Sequence, residues 1–284
     1  MIRAAAVVAA CLLLAPAPVR LQTREPIIDV HLHASAANSQ GPPPLGMCTP
    51  IDPMPVWTQQ MPFADEFLAR LKKPPCADPV WSPMTDDELM QQTIAAVRRL
   101  NVFGLLSGRG VRLDAWVAAE PDRFMPAAAL SVAEPTPPTP ASLRELHAKG
   151  KLRAIGEVTN QYGGAAPDDP RMEPYWQLAE ALDVPVGYHL GTTPPGVRYL
   201  GSTTHRAQLH SALLFEDVLA KHPKLRVYLM HAGYPMLDDL LTMLYQHPQL
   251  YVDVGVIVYT QPRPAFYRYL QGIVDAGFGN RVMF

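Results

Sequence analysis

The sequence has no excess of either charge: 24 Lys and Arg stand against 26 Asp and Glu in 284 residues. Without a basic stripe or a run of like charge, it argues against binding to nucleic acid or an anionic membrane surface. Beyond its first twenty residues it has no apolar run near the roughly 20 residues that a membrane-spanning helix needs. No stable membrane span is therefore expected once the leader is gone. No Gly-x-Gly-x-x-Gly follows any strand-like run, which argues against an open dinucleotide-binding sheet. Gly108-Arg109-Gly110 is too short to serve. No repeat occurs beyond an alternation of strand-like and helix-like segments. What remains is a globular chain, and nothing in the sequence speaks to oligomeric state.

Cysteine is also scarce, at three residues. The first twenty residues read as an export signal, with Arg3 as a short positive region and residues 4–14 as the apolar stretch. Ala15-Pro16-Ala17 then supplies small residues near a cleavage point. A retained membrane anchor is the alternative, and the apolar run is short for that role. The segment ending at Cys11 resembles a lipoprotein cleavage box, although Cys11 sits early within the apolar run. A periplasmic or secreted location is expected. Removal of the leader leaves Cys48 and Cys76, which an oxidising compartment would allow to bridge or leave as thiols. A bridge closing that loop would contribute roughly 3 kcal/mol by chain entropy.

From Pro26 onward, strands and helices alternate. Residues 26–33 combine apolar residues with alternate polar ones, as a strand does. Residues 34–84 form a long, irregular Pro-rich insertion of the kind that usually serves as a lid or binding loop. Thr85 is placed to cap a helix running to about Leu100, with Asp86, Asp87 and Glu88 in its first turn. Further strands are expected at 102–107, 124–131, 152–159, 185–190, 226–232 and 250–259, with an eighth beginning at 281–284. Leu237, Leu240, Leu241 and Leu244 mark one helix face between them. Eight β-starts separated by helices predict an α/β fold, a (β/α)8 TIM barrel, over residues 26–284.

Reacting groups in such a barrel belong at the carboxyl ends of the strands. His31, His33, His189 and His231 all fall there, as does Glu157 in Gly156-Glu157-Val158. His31 and His33 lie two apart in one strand and so share a face, with Leu32 turned toward the outer helices. Two such imidazoles can grip one cation at ~2.0–2.1 Å. Packed or surface histidines are the ordinary alternative for a lone pair. Four strands contributing ligand types at one rim favour a metal site over packing.

These residues carry a resemblance. The His31-Leu32-His33 pair with strand-end His189 and His231 resembles the amidohydrolase superfamily. The block from Lys221 through Met230-His231-Ala232-Gly233 and the block from Pro248 to Val254 resemble the amidohydrolase-related (amidohydrolase 2) family. The resemblance covers most of the chain from Pro26, leaving out residues 34–84. It implies that His31 and His33 hold a divalent metal with His189 as a further ligand. His231 would serve a second metal or polarise the substrate, and Glu157 resembles the bridging carboxylate of two-metal members. One or two ions are implied, zinc first, with manganese or iron also suited to imidazole and carboxylate. In that family the Asn280-to-Phe284 block runs on into Gly-Ser-Asp, whose aspartate is a metal ligand and proton carrier. The sequence ends before it, so it reads as an incomplete copy truncated at the start of strand eight. A naturally shortened, inactive protein is the alternative.

Asp29 shares the histidine face and is a candidate to orient one of the rings, or else a buried structural carboxylate. Asp253 is either site wall or polar core. Asn160, Tyr162 and Arg198 follow strand ends where substrate-contacting loops belong, with Arg198 the candidate grip for a substrate carboxylate. His205, His210, His222 and His247 read as helix or turn residues. The function expected is hydrolysis of an amide, ester or lactone in a small molecule by metal-activated water, with His231 and Glu157 as catalytic groups. A non-oxidative decarboxylase of the same family is the first alternative. A non-catalytic fragment or binding protein is the second.

Overall fold

The computed structural model describes residues 24–284, so the expected leader and Cys11 lie outside the described residues. In chain order the first elements are β1 (Ile27–His33), β2 (Gly46–Met47), α1 (Phe63–Lys72), β3 (Val80–Trp81) and α2 (Asp86–Leu100). The repeat then becomes regular: β4 (Val102–Gly108), α3 (Gly110–Ala119), β5 (Phe124–Leu130), α4 (Pro140–Ala148), β6 (Ala154–Val158) and α5 (Glu173–Leu182). It continues through β7 (Val186–His189), α6 (Glu216–Lys221), β8 (Val227–Met230), α7 (Leu237–Gln246) and β9 (Leu250–Asp253). It closes with α8 (Ile257–Thr260), α9 (Arg263–Asp275) and β10 (Val282–Met283).

β1 and β4 to β10 form one sheet in sequential order, each strand parallel to the next. The two ends meet through a backbone hydrogen bond, Val30 N–H to Phe284 O at 2.9 Å. The TIM barrel expected from the alternation is thus formed, nearly closed. Its interior is filled by Leu105, Ala127, Ala154, Tyr228 and Met230, with Val30 and Met283 against them. The larger apolar layer lies between sheet and helices, where Leu130, Leu143, Ile155, Trp176 and Phe215 are almost completely buried. Each such aliphatic or aromatic side chain contributes ~1.5–3 kcal/mol by leaving water.

Local chemistry sets the helix boundaries. Thr85 Oγ1 accepts the Glu88 N–H at 3.2 Å, and Glu88 Oε2 accepts the Met84 N–H at 2.9 Å. The first bond caps the helix and the second ties down the residue before the cap, so two backbone donors at the helix start are satisfied. Asn101, with φ of 56°, ends α2 in the left-handed conformation that Asn tolerates.

Two expectations need correction. The insertion 34–84 is not irregular throughout: it carries α1 and an antiparallel β2–β3 pair, and of the two readings of Cys48 and Cys76 the bridge is the one that forms. Its buried Phe63 packs on Tyr199, and Ile51 N–H donates to Thr260 O at 2.9 Å. The insertion is therefore a folded lid seated on the barrel mouth. The strand expected over 250–259 stops at Asp253, because the chain turns into α8 through Val256 at a φ of 64°.

Candidate metal centre

The carboxyl ends of β1, β6, β7 and β8 bring His31, His33, Glu157, His189 and His231 together at the floor of one cavity of about 610 Å³. Glu157 is the hub. Its Oε1 lies 2.5 Å from His189 Nδ1, 3.6 Å from His231 Nε2 and 3.8 Å from His31 Nε2. Its Oε2 lies 3.5 Å from His33 Nε2. Ser107, at the end of β4, holds the hub in place by accepting the Glu157 backbone N–H at 2.6 Å. Leu32, between the two β1 histidines, packs outward with Ile94, Val97 and Leu113, as its parity in the strand predicts.

Partners of the far ring nitrogens fix which atoms face the hub. His31 Nδ1 sits 3.1 and 3.2 Å from the two oxygens of Asp253, which can only accept, so Nδ1 carries the proton and Nε2 faces Glu157. His231 Nδ1 lies 2.9 Å from the Gly255 carbonyl, so in the neutral ring its Nε2 is the lone-pair nitrogen. His189 directs its Nδ1–H between Glu157 Oε1 and His231 Nε2, the latter at 3.1 Å. His189 Nε2 is buried with no hydrogen-bond partner among the described residues.

Asp253 has no exposure, and its Oδ1 also accepts the backbone N–H groups of His231 at 3.2 Å and Gly255 at 2.8 Å. Burial opposes its ionisation, but the neighbouring His31 and His231 hold its carboxyl below the usual range. Burial likewise opposes a charge on Glu157, and the surrounding histidines nevertheless hold it well below that range. Burial also works against a proton on His31, yet Asp253, Glu157 and Asp29 together raise its pKa. For His189 burial prevails and takes the imidazole down to about 4. The electrostatic result is two ionised carboxylates, Glu157 and Asp253, set among the imidazoles, which is a field that favours a cation.

That donor set fits a divalent ion. His31, His33 and Glu157 offer ligand atoms within 4.8 Å of one another, as do Glu157, His189 and His231, and His31, His231 and Asp253. His189 faces the floor through Nδ1, which would join the ligands of an ion on giving up its proton, with Nε2 buried on the far edge of the ring.

The main chain bends sharply at the site. His231 and Ala232 have φ of 64° and 51°, a left-handed conformation that costs a non-glycine residue on the order of 1–3 kcal/mol. The bend takes the chain out of β8 and lets His231 face inward.

Other expected site residues divide. Tyr162 lines the cavity with its ring 4.8 Å from the His189 ring centroid. Asn160 does not line it: fully buried, it accepts the Val132 N–H at 2.9 Å through its side-chain oxygen. Arg198 is also outside the lining, with Nη1 3.4 Å from the His205 carbonyl. A loop following a strand end is not automatically a loop facing the mouth, and both residues turn the other way. Asp29 accepts the His31 backbone N–H at 2.8 Å rather than a ring nitrogen, since the register against β4 shifts between Asp29 and Leu32.

Sequence reasoning missed a second row of polar groups. Gln161 grips Gly191 twice, with Nε2–H to O at 2.9 Å and N–H to Oε1 at 3.3 Å, and so fixes the loop leaving His189. Its Nε2 is 3.4 Å from His205 Nε2, which is 3.3 Å from His210 Nε2. Burial and the neighbouring histidines push His210 down to about 4. The spacing of these residues in the sequence carried no periodic signal that could have revealed them.

The family model of the amidohydrolases (Amidohydro_2) matches residues 28–284, and the chain belongs to that family. Among solved structures it resembles a probable 2-pyrone-4,6-dicarboxylic acid hydrolase from Acinetobacter baumannii, crystallised with citric acid. The TM-score is 0.51 at 15% identity, over 91% of this chain and 82% of that one. An uncharacterised TIM-barrel protein from Bordetella bronchiseptica matches with a TM-score of 0.50 at 18% identity, over 70% of each chain. At these identities the likeness concerns the fold. No curated protein matches the sequence.

Proposed function

We propose that this protein is a metal-dependent hydrolase that cleaves an amide, ester or lactone bond of a small molecule. The observation that carries the reading is the convergence of four imidazoles on the two oxygens of Glu157 beneath a lidded cavity. His31 and His33 would hold the ion, with Glu157 and His189 completing the set. Zinc is the first choice, since imidazole and carboxylate suit it as they suit manganese or iron. When bound, the ion supplies Lewis-acid polarisation of a carbonyl and acidifies water. The chain's own residues do the rest. Asp253 keeps the His31 ring turned toward the floor, and Gly255 keeps the Nε2 lone pair of His231 turned inward. That nitrogen would take a proton from water and return it to the leaving group. Tyr162 and the lid wall the site from bulk solvent, which strengthens each polar contact inside.

The test is metal content of the full-length protein as isolated, with His31→Ala and Glu157→Ala alongside, followed by a panel of amides, esters and lactones. Stoichiometric metal in the wild type, lost in His31→Ala, supports the site. Equal metal in wild type and His31→Ala ends it. If Glu157→Ala loses neither metal nor activity, the hub role fails. Release of carbon dioxide from aromatic acids, with no hydrolysis, would replace this reaction by decarboxylation.

The reading extends to export into the periplasm or medium. The leader-like first twenty residues and the Cys48–Cys76 bond in the lid both suit an oxidising compartment. Mass spectrometry of the N-terminus in fractionated cells tests this, and an uncleaved protein confined to the cytosol would overturn it.

A further inference from the structure

We propose that Arg70, on the lid helix α1, is a specificity-determining residue and that the substrate is an amphiphilic monoanion. Its apolar body lies under the lid, and its carboxylate, separate from the bond that reacts, is held by the Arg70 guanidinium. The inference rests on reading the cavity floor as the reacting centre.

The lining is asymmetric in charge. Arg70 is the one Lys or Arg that lines the cavity among the described residues, and Glu157, on the floor, is the one Asp or Glu. Arg98, Arg109, Arg112, Arg171 and Arg226 each pair with a carboxylate. Arg70 has no such partner among the described residues. Its contact is a hydrogen bond from Nη2 to the Pro53 carbonyl at 2.5 Å, which anchors one edge of the guanidinium and leaves its remaining N–H groups for a ligand. Its planar fork matches a carboxylate, and it stands beside the apolar side chains of the cavity wall.

The remainder of the wall is mostly apolar, with Ser, Thr and Gln side chains as its uncharged polar groups. Leu45, Met47, Phe67, Leu71, Trp81 and Tyr259 line it, and Phe67 and Leu71 flank Arg70 on the same helix. A volume of about 610 Å³ with such walls is poorly filled by a compact polar acid. An aryl or alkyl body with one acid group satisfies both the walls and the cation.

Calorimetry on the metal-loaded full chain tests this with 4-phenylbutyrate, its neutral counterpart 4-phenylbutan-1-ol, and glutarate. The expected order is phenylbutyrate on the order of tenfold tighter than the alcohol, with glutarate weaker than phenylbutyrate. Arg70→Gln should erase the gap between acid and alcohol while leaving the affinity for the alcohol unchanged, which also reports an intact lid. Arg70→Lys should keep part of the gap. An undiminished gap in Arg70→Gln, equal binding of acid and alcohol by the wild type, or glutarate as the tightest ligand would each overturn the proposal. If Arg70→Gln loses the alcohol as well, Arg70→Lys decides: a retained gap supports the role of the charge, and a lost gap overturns it. Repeating the titration on metal-stripped protein separates this idea from the function proposed above. The gap belongs to the lid and should persist there, whether or not the floor holds an ion.

Discussion

His31 Nδ1 lies 3.1 Å from Asp253 Oδ2, although 222 positions separate the two residues in the chain. The carboxylate does for the ring what partners of metal-binding histidines commonly do: it fixes the tautomer and raises the basicity of the opposite nitrogen. Asp253→Asn keeps the shape and removes the charge. Metal affinity, measured by chelator competition, should fall about 10- to 100-fold. An affinity within twofold of wild type would show that Asp253 has no such role.

Replacing each β1 histidine separates stability from binding. The His31 side chain is 5% exposed and the His33 side chain 38%. His31→Ala leaves the buried Asp253 carboxylate without its ring partner, a loss of about 1–3 kcal/mol or more. His33→Ala exposes little that was hidden and should leave Tm nearly unchanged. Both should lose metal. Calorimetric melting of the metal-stripped variants reads the difference, and equal Tm losses would contradict the burial argument.

Gly255 has no room for a side chain. A Cβ there would sit 2.6 Å from His31 Nδ1 and 3.0 Å from Asp253 Oδ1. Gly255→Ala should displace the ring and weaken metal binding about tenfold or more. Gly279→Ala, where the added carbon meets Val274 at an ordinary 3.5 Å, serves as the control. Equal behaviour of the two variants in metal titration would refute the crowding.

The Cys48–Cys76 bond spans a sequence separation of 28 residues within the lid. By chain entropy it contributes about 3 kcal/mol to holding that segment folded. Cys48→Ser should lower the lid's resistance to proteolysis and raise KM, while far-UV dichroism of the barrel changes little. Unchanged proteolysis of residues 34–84 would mean that the packing of Phe63 suffices to hold the lid.

Arg198→Ala should leave KM within about twofold, since the guanidinium reaches toward the His205 carbonyl and not into the cavity. A large rise in KM would restore the residue to the substrate site and displace the geometry described here.

The barrel was legible because its signals are local. Apolar strands, the Thr85 cap and the leucine spacing of α7 each announce themselves within a few residues. The five floor residues were legible for a similar reason: strand parity and the strand-end rule say where a side chain points before any contact is known. The second row was not. Gln161, Gly255 and the orienting role of Asp253 depend on which loops approach one another, a matter of tertiary packing. The misplacement of Arg198 and Asn160 has the same origin. The order within the lid was hidden by its proline content, which masks a ten-residue helix and a two-residue strand pair.

Leu32 sits between His31 and His33, and it is the plug that fastens the first strand to the outer helical layer. Sliding that strand by a single residue would drive two imidazoles into oil and send the plug into the mouth. Register at this point therefore serves ligand geometry and packing together: a slip of one residue would damage both at once, whereas a single side chain such as His33 can be changed without unseating the strand.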